Sequence, residues 1–239
     1  MGNDTFYTAI DIGNSKVCTV IATVGPEGEL KVLGTGVAPS QGIQKGQVEN
    51  IDEAQQAIKA SLDEAQHFLG KGVNWAYVGI TGNYVSCINT SGLVNKSMGE
   101  QPLSSHEMER LIQSSYPEVM PGKEVLHVIP ISYVVDGLTS VRNPVGLHAG
   151  QVKVDSHVVL GEMSALKNII KAVEKCNIKV NSLVFQPLAA GEAVLTQAER
   201  ELGAVLVDIG GGTTDIAVIS LAGIAYKSSV RVAGNEMDH

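Results

Sequence analysis

Only three cysteines occur among the 239 residues: Cys18, Cys87 and Cys176. They are odd in number, far apart and set in apolar surroundings without a C-x-x-C spacing, so buried free thiols are expected in place of a disulfide framework or thiolate metal site. The histidines (His67, His106, His127, His148, His157 and His239) are scattered, and no H-E-x-x-H spacing puts two on one helix face, so no zinc is assigned. Basic residues are also short: 17 Lys and Arg stand against 25 Asp and Glu, the net charge is −8, and the cations form no run. That composition argues against nucleic acid or an anionic membrane as the main partner of this segment. No apolar stretch approaches the length of a membrane span. Asp4 and Asp11 interrupt the region where a secretory signal would need unbroken apolar character, so a cytosolic setting is the default expectation.

What is present is ample apolar material and much glycine. A hydrophobic content of 44% supports real cores, and the length suits one or two domains. The most informative stretch is Ala204-Val-Leu-Val-Asp-Ile-Gly-Gly-Gly-Thr-Thr-Asp-Ile-Ala-Val218. Residues 204–207 read as a buried strand that ends at Asp208. Gly210, Gly211 and Gly212 remove every Cβ from the turn, so backbone N–H groups can approach an anion, and Thr213 and Thr214 add hydroxyl donors. A carboxylate beside such a turn would repel a bare phosphate, so Asp208 makes sense as a ligand, direct or through water, for an accompanying Mg²⁺. Taken alone, the segment could equally be a Gly-rich hairpin whose Asp caps its own turn. The other end of the chain weighs against that, because Thr8-Ala-Ile-Asp-Ile-Gly-Asn-Ser-Lys-Val-Cys-Thr-Val-Ile21 repeats the design. Asp11 and Gly13 match Asp208 and Gly210, and Ser15 stands near the place of Thr213. Two such turns facing across a cleft could hold one polyphosphate between them.

Along the chain, strands are predicted over 7–12, 16–23 and 30–37, joined by tight turns. A helix capped by Asn50 follows, with an apolar stripe from Ile51 to Leu69 and a stop at Gly70; residues 75–81 form a fourth strand. From about Tyr84 a smaller strand-rich unit begins, with strands over 85–90 and 92–97, a helix opened by the capping box Ser104-Ser-His-Glu107, and long strands over 124–135 and 151–160. Pro130 marks an edge or a bulge in the first of these. Asp136, Asp155 and His157 read as turn or surface groups, which makes the insert a contact module. A helix with Leu166, Ile169, Ile170 and Val173 on one face resumes the main domain, followed by a strand over 182–185. Gln186-Pro187 opens a helix rich in small residues, suited to crossing between two half-molecules. A strand over 224–232 closes the pattern.

Together, Asp11-Ile-Gly-Asn-Ser-Lys16, Asp208-Ile-Gly-Gly-Gly-Thr-Thr-Asp215 and Gln186-Pro-Leu-Ala-Ala190 resemble the phosphate-1, phosphate-2 and first connecting segments of the actin, Hsp70 and sugar-kinase superfamily. Within it the chain most resembles the FtsA family of bacterial cell-division proteins, because the insert follows the fourth strand and not the third. Val125-Leu-His-Val-Ile-Pro130 and Tyr133-Val-Val-Asp-Gly137 are also similar to that family's 1C subdomain. The resemblance implies an α/β actin-like ATPase fold with a ribonuclease H-like β-β-β-α-β core and an inserted small α+β subdomain. It implies subdomain 1A over 1–83 and 163–202, a 1C-like (SHS2-type) insert over 84–162, and the start of subdomain 2A over 203–239. Asp11 and Asp208 would hold Mg²⁺ through water, and Gly13, Asn14, Ser15, Lys16, Gly210, Gly211, Gly212, Thr213 and Thr214 would bind the ATP phosphates. Gln186 falls where the superfamily places the residue that orients attacking water; the alternative is a polar residue that bonds backbone at a helix start.

The family's task implies that ATP serves as an assembly switch, with at most slow hydrolysis. Its partners would be further copies in a filament, FtsZ, and other division proteins reached through the insert or a 2B region beyond residue 239. The membrane would be met through a C-terminal segment also beyond it, at the inner face of the cell membrane at the division site, and no nucleic acid is implied. Because the chain stops at His239, it is expected to be a partial sequence. The ending over 231–238 is more similar to the corresponding MreB segment than to the usual FtsA one. Two other classes stay open: an MreB-like or pilus-assembly type of actin-like scaffold, and a small-molecule kinase of the same superfamily. The kinase would need a carboxylate base in the cleft, for which Asp215, read as a strand-start residue, is the spare candidate.

Overall fold

The computed structural model describes residues 6–67, 69–70, 72–95, 101–118, 120–220 and 223–237. Alternating buried and open positions give the meander β1 (Phe6–Ile12), β2 (Lys16–Val24) and β3 (Leu30–Pro39). A small hairpin, β4 (Ile43–Gln44) and β5 (Gln47–Val48), leads into α1 (Ile51–Gln66) and β6 (Trp75–Ile80). Next come β7 (Val85–Asn95), α2 (Ser105–Ser114), β8 (Lys123–Val135), β9 (Leu138–Val141) and β10 (Gln151–Glu162). The chain continues with α3 (Met163–Glu174), β11 (Lys179–Phe185), α4 (Gln186–Val194) and α5 (Gln197–Leu202). It ends in β12 (Ala204–Ile209), β13 (Thr214–Ser220), β14 (Gly223–Val230) and the single turn α6 (Gly234–Met237).

The first sheet has the order β11-β6-β1-β2-β3, antiparallel through the meander and parallel where β6 joins β1 and β11 joins β6. This is the predicted β-β-β-α-β core with one more parallel strand. Asn50 caps α1 by accepting the Asp52 and Glu53 amides at 3.0 and 3.3 Å. The helix ends at Gln66, short of the expected Gly70. There the Gln66 side chain accepts the Val73 N–H at 3.1 Å and turns the chain back toward β6. Ala54, Ile58 and Leu62 of α1 meet Leu166, Ile169 and Val173 of α3 in one core with Ile10, Val17 and Val78 of the sheet. α1 lies on β3 so closely that a Cβ on Gly36 would fall 2.0 Å from the Ser61 carbonyl oxygen. Beside it, Thr19 and Ser61 share a buried hydrogen bond of 2.8 Å.

The second sheet, β7-β10-β8-β9, is antiparallel throughout and carries α2. Leu103, Met108, Leu111, Val135, Val152 and Val154 form its outer core, while Val85 and Val159 at its base belong to the main core. The two strands expected over 85–90 and 92–97 are one strand, β7, because β10 pairs with it from Val85 to Asn95. Gly92 is a point of close approach by α2 and not a turn; residues 96 and 97 lie outside the described residues. Pro130 does sit at a register shift, between its partner Ser156 and Asp155. His157 is no surface group: on central strand β10 it is buried, with Nδ1 2.8 Å from Asn89 Oδ1. The three thiols are free but only half-buried. Among the described residues no helix is long and apolar enough to cross a membrane.

The third sheet, β12-β13-β14, has one covered and one open face. Ala217 and Ile219 of β13 point inward, and Gly191 of α4 packs directly on Ile219. The opposite face carries exposed Val205, Val207 and Ile209 beside exposed Tyr226 and Val230. Such a patch promotes association. Lys at both Val205 and Val207 is expected to reduce concentration-dependent association in sedimentation velocity; unchanged association would show that another surface drives it. Gly36→Ala must push α1 off β3 and is expected to cost about 1–3 kcal/mol, the usual range for overpacking. Denaturant unfolding measures this, and a midpoint unchanged from wild type would mean the helix can shift freely.

Candidate functional site

Both glycine-bearing hairpins close in the same way. Gly13 N–H donates to the Lys16 carbonyl at 3.0 Å, and Gly210 N–H donates to the Thr213 carbonyl at 2.9 Å. Ladder pairing runs up to each turn, with Asp11 opposite Cys18 and Asp208 opposite Asp215. By this closure Lys16 takes the place of Thr213, and Ser15 corresponds to Gly212.

The two turns face each other at contact distance. A Cβ on Gly212 would lie 1.7 Å from Asn14 Nδ2, and one on Gly211 would lie 3.1 Å from the Ser15 Cβ. Only bare backbone fits against the first turn here. Asn14 Oδ1 accepts the Gly46 N–H at 2.7 Å, which ties the tip of the β4–β5 hairpin to the same place. Behind the second turn, Gly234 N–H donates to the Gly210 carbonyl at 3.0 Å and Asn235 N–H to the Gly211 carbonyl at 2.9 Å.

Between the turns opens a cleft of about 320 Å³, lined by Asp11, Gly13, Asn14, Ser15, Lys16, Gln186, Asp208, Gly210, Gly211, Gly212 and Thr213, with Thr81 and Ile209. Thr214 is not brought to it; its hydroxyl donates to the Val232 carbonyl at 2.7 Å. Asp11 ends β1 and Gln186 begins α4, and the Gln186 Nε2 donates to Asp11 Oδ1. Thr81 and Gly46 escaped the sequence reading. Thr81 could have been found, because it follows β6, which runs parallel to β1 and ends at the same sheet edge as Asp11. A larger groove of about 730 Å³ runs past residues 129–133, Arg142 and Glu201, but holds neither a carboxylate pair nor a glycine turn.

Partial burial pushes the Asp11 carboxyl above its ordinary range, the negative charge of Asp208 adds to the effect, and Lys16 opposes it. Partial burial also raises Asp208, followed by the charge of Asp215. A cleft that raises the proton affinity of two carboxylates is short of positive charge, and a divalent cation would relieve it. Among the described residues no three His, Cys, Asp or Glu side chains cluster as metal ligands. A cation there would keep most of its coordination shell as water, which is the habit of Mg²⁺. Thr81 Oγ1, buried at the cleft, finds no hydrogen-bond partner among the described residues.

Sheet order and paired turns define an actin-like protein. Among solved structures the chain resembles the PilM–PilN type IV pilus biogenesis complex at a TM-score of 0.68 and 16% identity, covering 96% of this chain and 62% of that one. It also resembles the ethanolamine utilization protein EutJ from Carboxydothermus hydrogenoformans at a TM-score of 0.53 and 16% identity, covering 96% and 53%. Residues 82–160 match the family model of the SHS2 domain inserted in FtsA, and residues 156–239 match that of the MreB/Mbl protein. Cell division protein FtsA of Pseudomonas aeruginosa is 36% identical over 95% of this chain and 54% of its own length. The same protein of Neisseria meningitidis is 33% identical over 96% and 55%, and that of Escherichia coli 34% over 95% and 54%. The chain is thus similar to FtsA proteins over nearly all of its own length, and it spans about half the length of these relatives.

Raised carboxyl pKa values mean that ionised Asp11 and Asp208 are disfavoured in the folded chain relative to the unfolded one. The cost is absent below the ordinary aspartate range, sets in as pH rises through it, and is complete above the raised values. Asp11→Asn and Asp208→Asn are therefore expected to raise the thermal midpoint modestly at neutral pH and to leave it unchanged in acid, in the absence of nucleotide and metal. Thermal unfolding at both pH values checks this; a variant less stable at neutral pH would show that the carboxylate supports its turn.

Proposed function

We propose that the cleft binds ATP with Mg²⁺, and that the chain is the nucleotide-binding and contact part of a cell-division scaffold. The observation that carries this reading is the meeting of two like-closed glycine turns above the Asp11 and Asp208 pair. Unsubstituted backbone at Gly211 and Gly212 offers N–H groups to phosphate oxygens, while the Gly210 N–H closes the turn on the Thr213 carbonyl, with Thr213, Ser15, Asn14 and the Lys16 ammonium beside them. Thr214, bonded to Val232, acts through the turn rather than on the ligand. Asp11 and Asp208 hold the cation through water; when bound, Mg²⁺ neutralises phosphate charge. Gln186, fixed by its bond to Asp11, is the polar group able to orient water, which suits a slow ATPase that uses ATP as an assembly switch.

In this reading residues 1–83 and 163–202 are subdomain 1A, 84–162 the 1C-like insert, and 203–239 the opening of subdomain 2A. The relatives' name, cell division protein, supports a place at the septum, on the inner face of the membrane, where the protein polymerises and tethers FtsZ filaments. The MreB/Mbl match over 156–239 supports an alternative actin-like filament scaffold. A small-molecule kinase fits less well: Asp215 is 3% exposed, lies against Lys227, and does not line the cleft.

Asp11→Ala and Asp208→Ala in the full chain are each expected to weaken Mg·ATP binding by about tenfold or more, equivalent to ~1.4 kcal/mol. Gln186→Ala should change affinity far less and lower any hydrolysis rate. Titration with a fluorescent ATP analogue measures the binding; unchanged affinity in both Asp variants would overturn the reading.

A further inference from the structure

Lys227 of β14 is a cation inside the protein, with its side chain only 4% exposed. Its ammonium donates to the Gly82 carbonyl at 2.8 Å and to the Val85 carbonyl at 2.9 Å. Those carbonyls belong to the turn by which the chain leaves β6 and enters β7, the root of the insert. On its other side lies the Asp215 carboxylate, 4.0 Å away and equally buried. Asp215 follows Thr213 and Thr214 and sits opposite Asp208 in the second hairpin. The ammonium also stands 5.7 Å over the ring of Phe185, the residue before Gln186. Phe185 in turn donates its N–H to His127 Nε2 on β8 at 3.0 Å. Four segments thus converge: the insert root, the second hairpin, the start of α4 and, through Phe185, strand β8.

A buried ion pair adds little stability over an apolar pair of the same shape, because desolvation offsets the attraction; what it can supply is a defined mutual placement. Burial pulls Lys227 below its ordinary range, and Asp215 partly restores it. Two of the three ammonium protons are committed to carbonyls of the insert root. The third partner is incomplete: Asp215 Oδ1 is buried without a hydrogen bond among the described residues, and 4.0 Å is too long for one. A small shift of β13 toward the root would bring the pair to charge-assisted bonding distance, about 2.9 Å. At 4.0 Å the pair stands as a loose latch between the second hairpin and the insert root.

We propose that Lys227 is a positioning residue that ties the second glycine hairpin to the root of the insert, so that ligand seated between the two turns is felt in β7. The proposal rests on the reading of the cleft as an Mg·ATP site. Hydrogen exchange by mass spectrometry on the full chain, with and without Mg·ATP, tests it. In the wild type, Mg·ATP should slow exchange at the turn 210–214 and, by about fivefold or more, the lower end of typical coupling factors, over residues 82–95. Lys227→Met combined with Asp215→Asn removes both charges together, so neither is left alone in the interior. That variant should keep the slowing at 210–214 and lose it over 82–95. Should it fail to fold, Asp215→Asn alone removes the third partner while Lys227 stays on its two carbonyls, and the same loss is expected. Equal slowing over 82–95 in a folded variant and in wild type would overturn the latch. So would wild-type slowing confined to the turns. No slowing at the turns in the wild type would instead sink the Mg·ATP reading, and the latch with it.

Discussion

Contact between Asn14 and Gly212 governs the architecture, because it can exist only if two hairpins far apart in the chain arrive with their turns opposed and one of them without a side chain. The first turn is delivered by the meander, whose antiparallel register runs unbroken from Phe6 opposite Thr23 to Ile12 opposite Val17. The second is delivered by β12 and β13, which α4 holds against the main core through Gly191 and Ile219. Each turn then has its own brace: the tip of the β4–β5 hairpin at Gly46, and the start of α6 at Gly234 and Asn235. Carboxylates at the ends of β1 and β12 are left facing a space with little positive charge. The cleft chemistry is a consequence of where the strands stop.

Small residues do the same work at a second place. β3 admits α1 at the Gly36 backbone, which brings the helix close enough for Ser61 to bond Thr19 across the layer. The helix is then seated by direct backbone contact, and its position relative to Asp11 two strands away is set by packing that leaves little freedom. The insert is attached differently. Its outer half has a core of its own, while its base shares Val85 and Val159 with the main core, and polar contacts at Gly82, Val85 and His127 reach Lys227 beside the second hairpin and Phe185 before Gln186.

Legibility varied with the range of the interaction that decides each feature. The meander, the Asn50 cap, the capping box at Ser104 and the bulge at Pro130 rest on residues within a few positions of one another, and all are visible in the sequence. Strand β7 was misread because Gly92 looks like a turn when its neighbours are unknown; in the fold it is the place where α2 comes close. His157 was misread for a related reason. A lone histidine in an alternating strand gives no sign that it will be buried on a central strand with Asn89 of the neighbouring strand as its partner.

The same division applies to the site. Local chemistry in the sequence determined the two turns, the aspartates before them and Gln186 at its helix start, since glycine runs, hydroxyl donors and terminal carboxylates have meaning over a few residues. The repeat of the pattern determined that the two copies belonged together. Tertiary structure alone decided that Thr214 turns away to Val232, that Lys16 stands in the place of Thr213, and that Gly46 braces Asn14 at the cleft. It alone placed Lys227 between Asp215 and the carbonyls of Gly82 and Val85. Those facts depend on which distant backbones meet, and a side chain's partners across more than a hundred residues are set by the packing of the whole sheet rather than by the residues beside it.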